Sequence, residues 1–280
     1  MDVENFDYTL KYINLNGVTL NIEERLQLKL SLAQLQSDLK LDNILFWGKI
    51  IGTVKDYYVA YSLDYSQKDN GFPGKSFYWC SSSNYLFATL PAPLAKFAKD
   101  FSDLNVYFTG EHDRVVLDVM LSAPVIIDED LILPAKQVTE LNRLSHVVHQ
   151  IETNCAAVPK GSYKFTPLKE TVRNEAFKGL TKDQAFVLGN WQHFRAIQQP
   201  EKVGLMQRDE SVYNNNFLDE VVADFPKNCW SLVRDCTETV ASLRSNLWPG
   251  YYAYHRINTP MFGAVYIGQG VRNNDLPFMV

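Results

Sequence analysis

Between residues 21 and 40, leucines at 28, 32, 35 and 39 recur at the spacing of one helical face. Ile22, Leu26, Leu30 and Ala33 widen that stripe, so the pattern predicts a helix capped by Asn21 and buried on more than one side. The period then changes. Three runs rich in aromatic and β-branched residues follow at Ile44–Val54, Tyr57–Leu63 and Phe77–Ser81. Asp56, with Gly52 nearby, supplies a turn between the first two. A hairpin is expected in which Phe46, Trp47, Tyr57 and Tyr58 alternate between two covered faces, with Gly48 and Gly52 where backbones approach closely. Ser66–Lys75, containing Gly71, Pro73 and Gly74, predicts a loop.

Pro91 and Pro93 precede a short helix expected over Pro93–Phe101. Val106–Phe108, Val115–Leu121 and Pro124–Leu133 read as strands of a meander, and Ala135–Glu152 as a helix with Val138, Leu141, Val148 and Ile151 on one face. Thr181 and Gln184 have the spacing of a capping box, flanked by a Leu180–Ala185 staple, for a helix predicted to reach Phe194. Gln198–Asn216 is polar and predicts a loop. Beyond an amphipathic piece at Phe217–Phe225 lie a strand at Trp230–Arg234, a further segment over Glu238–Leu247, a turn at Trp248-Pro249-Gly250, and strands at Tyr251–His255 and Phe262–Ile267. With strands at both ends and helices between, the expectation is α+β: one domain over residues 1–280, with a mixed, largely antiparallel sheet shared by the terminal strands and helices packed on it.

Composition narrows the class. A net charge of −5, with no cluster of Lys or Arg, argues against nucleic acid as a partner. The longest apolar runs are interrupted by Lys or Asp, so no membrane span is expected, and the acidic start Met1-Asp2-Val3-Glu4 lacks the basic region of a signal peptide. Four scattered cysteines, Cys80, Cys155, Cys229 and Cys236, fit a reduced compartment. A packed domain can consume most of the five Trp, fifteen Tyr and sixteen Phe, and a surplus favours broad contact surfaces.

The candidate chemistry fails on spacing. Gly71-Phe72-Pro73-Gly74-Lys75-Ser76 approaches a phosphate-binding loop, but Asp69 stands where the first glycine belongs and a strand follows where a helix is needed. Gly268-Gln269-Gly270 follows a strand, yet Asn273 replaces the third glycine of a dinucleotide fingerprint. His146, His149 and Cys155 resemble metal ligands, but the two histidines diverge around a helix and no Cys pair or acidic partner completes a zinc set. Glu111-His112-Asp113-Arg114 reads as a solvated turn, and His193 and His255 have no nucleophile in a strained elbow. No catalytic residue, cofactor or metal site is expected. The alternative, a cytosolic enzyme of unknown reaction, would need a deep cleft with convergent polar groups.

Ile44-Leu45-Phe46-Trp47-Gly48-Lys49-Ile50-Ile51-Gly52, followed by Asp56-Tyr57-Tyr58, resembles the radial spoke head family. Leu247-Trp248-Pro249-Gly250, Tyr266-Ile267-Gly268-Gln269-Gly270 and Asp275-Leu276-Pro277-Phe278-Met279 continue the resemblance in order, as do Val158-Pro159-Lys160-Gly161 and the Phe177 to Leu180 segment. The short chain and its Asp-Leu-Pro-Phe-Met ending set it apart from the longer spoke head proteins 4 and 6; Ser81–Leu133 matches poorly. The resemblance implies a non-catalytic scaffold in the head of the axonemal radial spoke, in cilia and flagella. There it would relay signals from the central pair to the dynein arms. The implied partners are 4/6-type subunits, spoke head protein 1 and the spoke stalk, with transient contact to the central pair. The apolar ending Leu276-Pro277-Phe278-Met279-Val280 follows polar turn chemistry, and Leu276, Pro277 and Phe278 are the candidate partner interface.

Overall fold

The structure, a computed structural model, describes Met1 and residues 5–69, 71–117, 138–168, 170–206 and 216–279. A helix that the leucine spacing does not announce, α1 (Phe6–Asn14), opens the fold. The leucine-rich segment forms α2 (Ile22–Leu39). Its start is a reciprocal cap: the Asn21 side chain accepts the Glu24 N–H at 2.7 Å, and the Glu24 carboxylate accepts the Asn21 N–H at 2.8 Å. Lys40 ends it in the left-handed region at φ 50°.

The strands β1 (Leu45–Ile50), β2 (Tyr57–Asp69), β3 (Phe72–Ser81), β4 (Ala88–Thr89), β5 (Trp230–Arg234), β6 (Val240–Ser245), β7 (Tyr251–Arg256) and β8 (Phe262–Gly268) form one sheet of eight strands. Their order is β5-β6-β7-β8-β1-β2-β3-β4. The sheet is mixed and largely antiparallel, as the sequence indicates: only β1 and β8, from opposite ends of the chain, run parallel. At that seam a Cβ on Gly48 would lie 2.1 Å from the Tyr266 carbonyl oxygen, so no other residue fits the parallel pair. Gly52 meets the same limit at the β1–β2 turn, 2.0 Å from the Lys55 carbonyl oxygen.

The hairpin residues alternate as expected. Trp47, Tyr57, Val59 and Trp79 face α4 (Glu140–Cys155), which contributes Leu144, Val147, Val148 and Ile151 to the larger core. Phe46, Tyr58, Ala60 and Tyr78 face the other way, onto Phe6, Leu10 and Ile13 of α1 and Leu28, Leu32 and Leu35 of α2. The sheet is therefore covered on both faces. A third helix, α3 (Ala98–Asp103), packs beside α4.

Several boundaries move. Ser66–Lys75 is largely strand, not a loop: Lys68 pairs with Pro73 and Asp69 with Phe72, Gly71 has φ 83°, and the register shifts between Asp64 and Lys68. That irregularity accommodates a proline in a strand. The Thr181 capping box forms but starts only Lys182–Ala185. Trp191–His193 leaves helical geometry to pair with Ala157–Pro159, and the Trp191 indole N–H donates to the Ala185 carbonyl at 3.0 Å. Tertiary pairing overrides helix propensity there. Pro200–Met206 is helical rather than loop, and Val106–Phe108 joins no strand. The expected strand from Val115 is formed as Val115–Leu117, paired with Val138–Thr139; the rest of that segment, Pro124–Leu133 and Ala135–Lys136–Gln137 lie outside the described residues.

A polar clasp seats α2. The Lys49 ammonium lies 2.7 Å from the Glu24 carboxylate and 2.8 Å from that of Asp56, and the Tyr58 hydroxyl donates to Glu24 at 2.8 Å. Burial would raise the Glu24 pKa, but the hydrogen bonds from Lys49, the Asn21 N–H and Tyr58 outweigh it and hold the carboxyl below its ordinary value. Burial likewise opposes the Lys49 charge, and Asp56 and Glu24 together reverse it, so its pKa is raised.

Candidate interaction surface

With its inner face on the sheet, α2 turns the remaining half of its stripe outward. Ile22, Leu26 and Leu30 are 82%, 59% and 61% exposed, and Ala33 beside them is exposed too. At 100° per residue these positions lie opposite Leu28, Leu32 and Leu35. The sequence pattern that suggested burial on more than one side is thus met on one side only. Lys29, 3.4 Å from Asp7, and Glu23 border the exposed strip. Scattered exposed aliphatics are ordinary; an aligned row on a straight helix is the signature of a contact surface.

The C-terminal segment is divided. After β8 the Gly270 N–H donates to the Tyr266 hydroxyl at 2.9 Å, and the Asn273 N–H to the Leu247 carbonyl at 2.8 Å. Leu276–Phe278 then make a short 3-10 turn. Leu276, 6% exposed, inserts into the larger core, while Pro277 is exposed and Phe278 is 85% exposed. Of the three residues singled out in the sequence, one is an anchor and two face solvent. The anchor holds the Phe278 ring outward.

Several titratable and thiol side chains lie in hydrogen-bonded or packed positions. A polar recess of about 320 Å³ is lined by Arg195, Asp219, Asp224 and Cys229 among others. Its Asp224 carboxylate accepts from His193 Nε2 at 2.8 Å and from the Trp230 indole N–H at 2.7 Å, and Asp219 accepts the Gln198 N–H at 2.8 Å. The neighbouring Cys229 thiol donates to the Pro226 carbonyl, and burial raises its pKa, which keeps it a thiol. His146 packs on Phe101, His149 on Phe77, and Cys155 is buried in the larger core; among the described residues no group of three potential ligands comes together. Gly268 and Gly270 serve close packing: a Cβ on Gly268 would lie 2.5 Å from the Pro249 carbonyl oxygen. His112, in the exposed turn, rests on the Trp79 ring 5.2 Å away.

His255 is wholly buried beneath Phe177 and Trp191. Its Nε2 accepts the Leu180 N–H at 3.0 Å, which places the ring proton on Nδ1, facing the Met261 carbonyl at 3.1 Å. Burial pushes its pKa down from 6.5 to about 4. Below pH 6.5 the unfolded chain takes up a proton that the folded chain refuses until about pH 4. Stability contributed by the neutral ring should therefore fall across that interval, by roughly 2–3 kcal/mol in all. Urea unfolding between pH 7 and 4.5, wild type against His255→Asn, checks this: a pH slope that is the same in both would refute it.

Among the described residues no helix is long and apolar enough to cross a membrane. The comparison with known proteins decides the rest: the family described as "Radial spokehead-like protein" matches residues 1–76 and 206–280. The chain belongs to the radial spokehead-like family. It is similar to the radial spoke head protein 9 homologs of Homo sapiens and Mus musculus, each 30% identical over 284 residues that cover 100% of both chains, and to that of Danio rerio at 31% with the same coverage. As a radial spoke head component it is an axonemal, cytoskeletal protein of cilia and flagella. The two matched segments of this spoke head chain hold α1, α2, β1 and β2 on one side and β5–β8 on the other. They meet at the parallel seam, while the second half of β3 and all of β4 lie outside the match.

Proposed function

We propose that this spoke head chain is a non-catalytic structural subunit. It supports head assembly and helps carry mechanical signals from the central pair toward the dynein arms. The residues 1–280 act as one domain, which unfolds in a single transition. Its partners are 4/6-type spoke head subunits and spoke head protein 1, with the spoke stalk nearby; the head touches the central pair transiently, and neither nucleic acid nor membrane is a partner. The observation that carries this reading is the outward row Ile22, Leu26 and Leu30 on a helix already anchored by its opposite face. An amphipathic helix of a neighbour laid along it would bury about 0.8 kcal/mol per methylene, and the exposed Phe278 supplies a second apolar contact.

Co-expression with a 4/6-type subunit tests the proposal. The triple variant Ile22→Glu, Leu26→Glu, Leu30→Glu should lose co-purification by tenfold or more, roughly the cost of burying even one unpaired charge, with its own unfolding midpoint unchanged. Phe278→Ser should weaken recovery less. Full recovery of both variants would place the interface elsewhere, and a fall in midpoint for the triple variant would show that the row is internal.

A further inference from the structure

A basic groove of about 450 Å³ lies between α1, the β5–β6 turn and the β7–β8 turn, lined by Lys11, Tyr12, Glu238, Thr239, Arg256 and Asn258 among others. Lys11 and Arg256 meet there on one tyrosine. Arg256 Nη1 donates to the Tyr8 hydroxyl at 3.0 Å, and the Lys11 ammonium stands 3.5 Å from the centroid of the same ring and 5.0 Å from that of Tyr12. Among the described residues neither cation is in an ion pair, whereas Lys49, Lys75 and Lys160 each face a carboxylate. The acids nearby are engaged with other partners. Asp7, one turn before Lys11, faces Lys29, and Glu238 pairs with Lys182, which holds the Glu238 carboxyl below its ordinary pKa. On a chain of net charge −5 this groove is a positive surface.

We infer that this groove receives an acidic segment of a neighbouring subunit, with a carboxylate seated between the Lys11 ammonium and the Arg256 guanidinium. Both cations are oriented before the partner arrives. The Tyr8 ring face holds one and the Tyr8 hydroxyl holds the other, so little side-chain freedom is lost on binding. A carboxylate has two oxygens and accepts from both at once. The exposed Thr239 hydroxyl and Asn258 amide stand beside them as partners for the segment's backbone. A basic segment would be repelled here. Exposed ion pairs contribute little to final affinity but accelerate encounter, so the groove sets the association rate and its salt dependence. The inference rests on reading the chain as a scaffold that binds other head subunits; it uses neither the α2 row nor Phe278.

A hexaglutamate peptide is the probe. Titrated into the full chain at low salt, it should shift the amide resonances of Lys11, Thr239, Arg256 and Asn258. Those shifts should vanish at about 1 M salt, where the screening length is about 3 Å. Inorganic phosphate at the same concentration should move them less. In association with a 4/6-type subunit, the double variant Lys11→Glu, Arg256→Glu should bind about tenfold more slowly at low salt and lose most of its salt dependence, with dissociation near wild type. Glutamates on α2 should do the reverse, hastening dissociation and leaving the salt dependence intact, so the two surfaces fail separately. Should the double variant not fold, Lys11→Glu alone, at an exposed position, should slow association in the same direction. Three results would each overturn the assignment: amides that the peptide leaves unmoved, phosphate that moves them equally and so marks an adventitious ion only, or a folded variant that keeps its association rate and salt dependence. A wild-type chain that never binds the subunit would sink the scaffold reading instead, and the peptide titration alone would then decide the groove.

Discussion

Trp47→Ala should lower the stability of the isolated chain by about 3–5 kcal/mol. The ring is 4% exposed, stands on β1 next to the Gly48 seam, and lies 5.4 Å from the Tyr266 ring on the parallel neighbour. Its indole N–H donates to the Glu152 carboxylate at 2.9 Å, and the other oxygen of that carboxylate accepts the Lys75 ammonium at 2.6 Å. Truncation leaves a cavity where the two halves of the sheet join and takes one donor from a carboxylate that is mostly buried. Trp47→Phe separates the two effects, because it keeps most of the volume and loses the hydrogen bond, at about 1–2 kcal/mol. Denaturant titration reads both. An unchanged midpoint for Trp47→Ala would remove the ring from the core.

How much of this was legible in the sequence depended on where the determining contacts lie. Local signals sufficed for α2, whose Asn21–Glu24 cap is written in four consecutive residues, and for β5, β7 and β8, whose aromatic and β-branched runs are bounded by turn residues. Gly48 and Gly52 were readable as close approaches, though not what they approach: the Tyr266 carbonyl comes from the other end of the chain. The Thr181 helix was overestimated because its cap is genuine while the force that ends it, pairing of Trp191–His193 with Ala157–Pro159, is non-local. The same limit governs the surface. Periodicity shows that α2 is apolar on two sides, but which side meets the sheet is settled by packing against Phe46 and Tyr58. In the tail, Leu276 and Phe278 are alike in hydropathy, and only the turn at Leu276–Phe278 sends one inward and the other out.

Nothing in the sequence marks Glu140, yet its replacement should rank with that of Trp47. The residue is 1% exposed at the first turn of α4, where the helix N-terminus favours a negative charge. Its carboxylate accepts the Thr109 hydroxyl at 2.7 Å, the Gly110 N–H at 2.8 Å, the Tyr57 hydroxyl at 2.9 Å and the Thr109 N–H at 3.1 Å. Burial, and then the Glu140 charge, push the Tyr57 pKa upward, so that hydroxyl remains a donor. The segment thus gripped closes on the β1–β2 turn: the Phe108 carbonyl accepts the Thr53 N–H, the Thr109 carbonyl accepts those of Val54 and Lys55, and a Cβ on Gly110 would lie 2.0 Å from the Lys55 carbonyl oxygen. Glu140→Ala strands several buried donors at once and should cost about 3–5 kcal/mol, the range for breaking a buried charged network. Glu140→Gln keeps one acceptor but places an NH2 among donors, so it should recover only part of the loss. Amide exchange locates the effect. Protection at Thr109, Gly110, Val54 and Lys55 should fall together in both variants, because one carboxylate holds both strands of the clasp. Loss confined to α4, with those four amides still protected, would reduce Glu140 to a helix cap and refute the clasp.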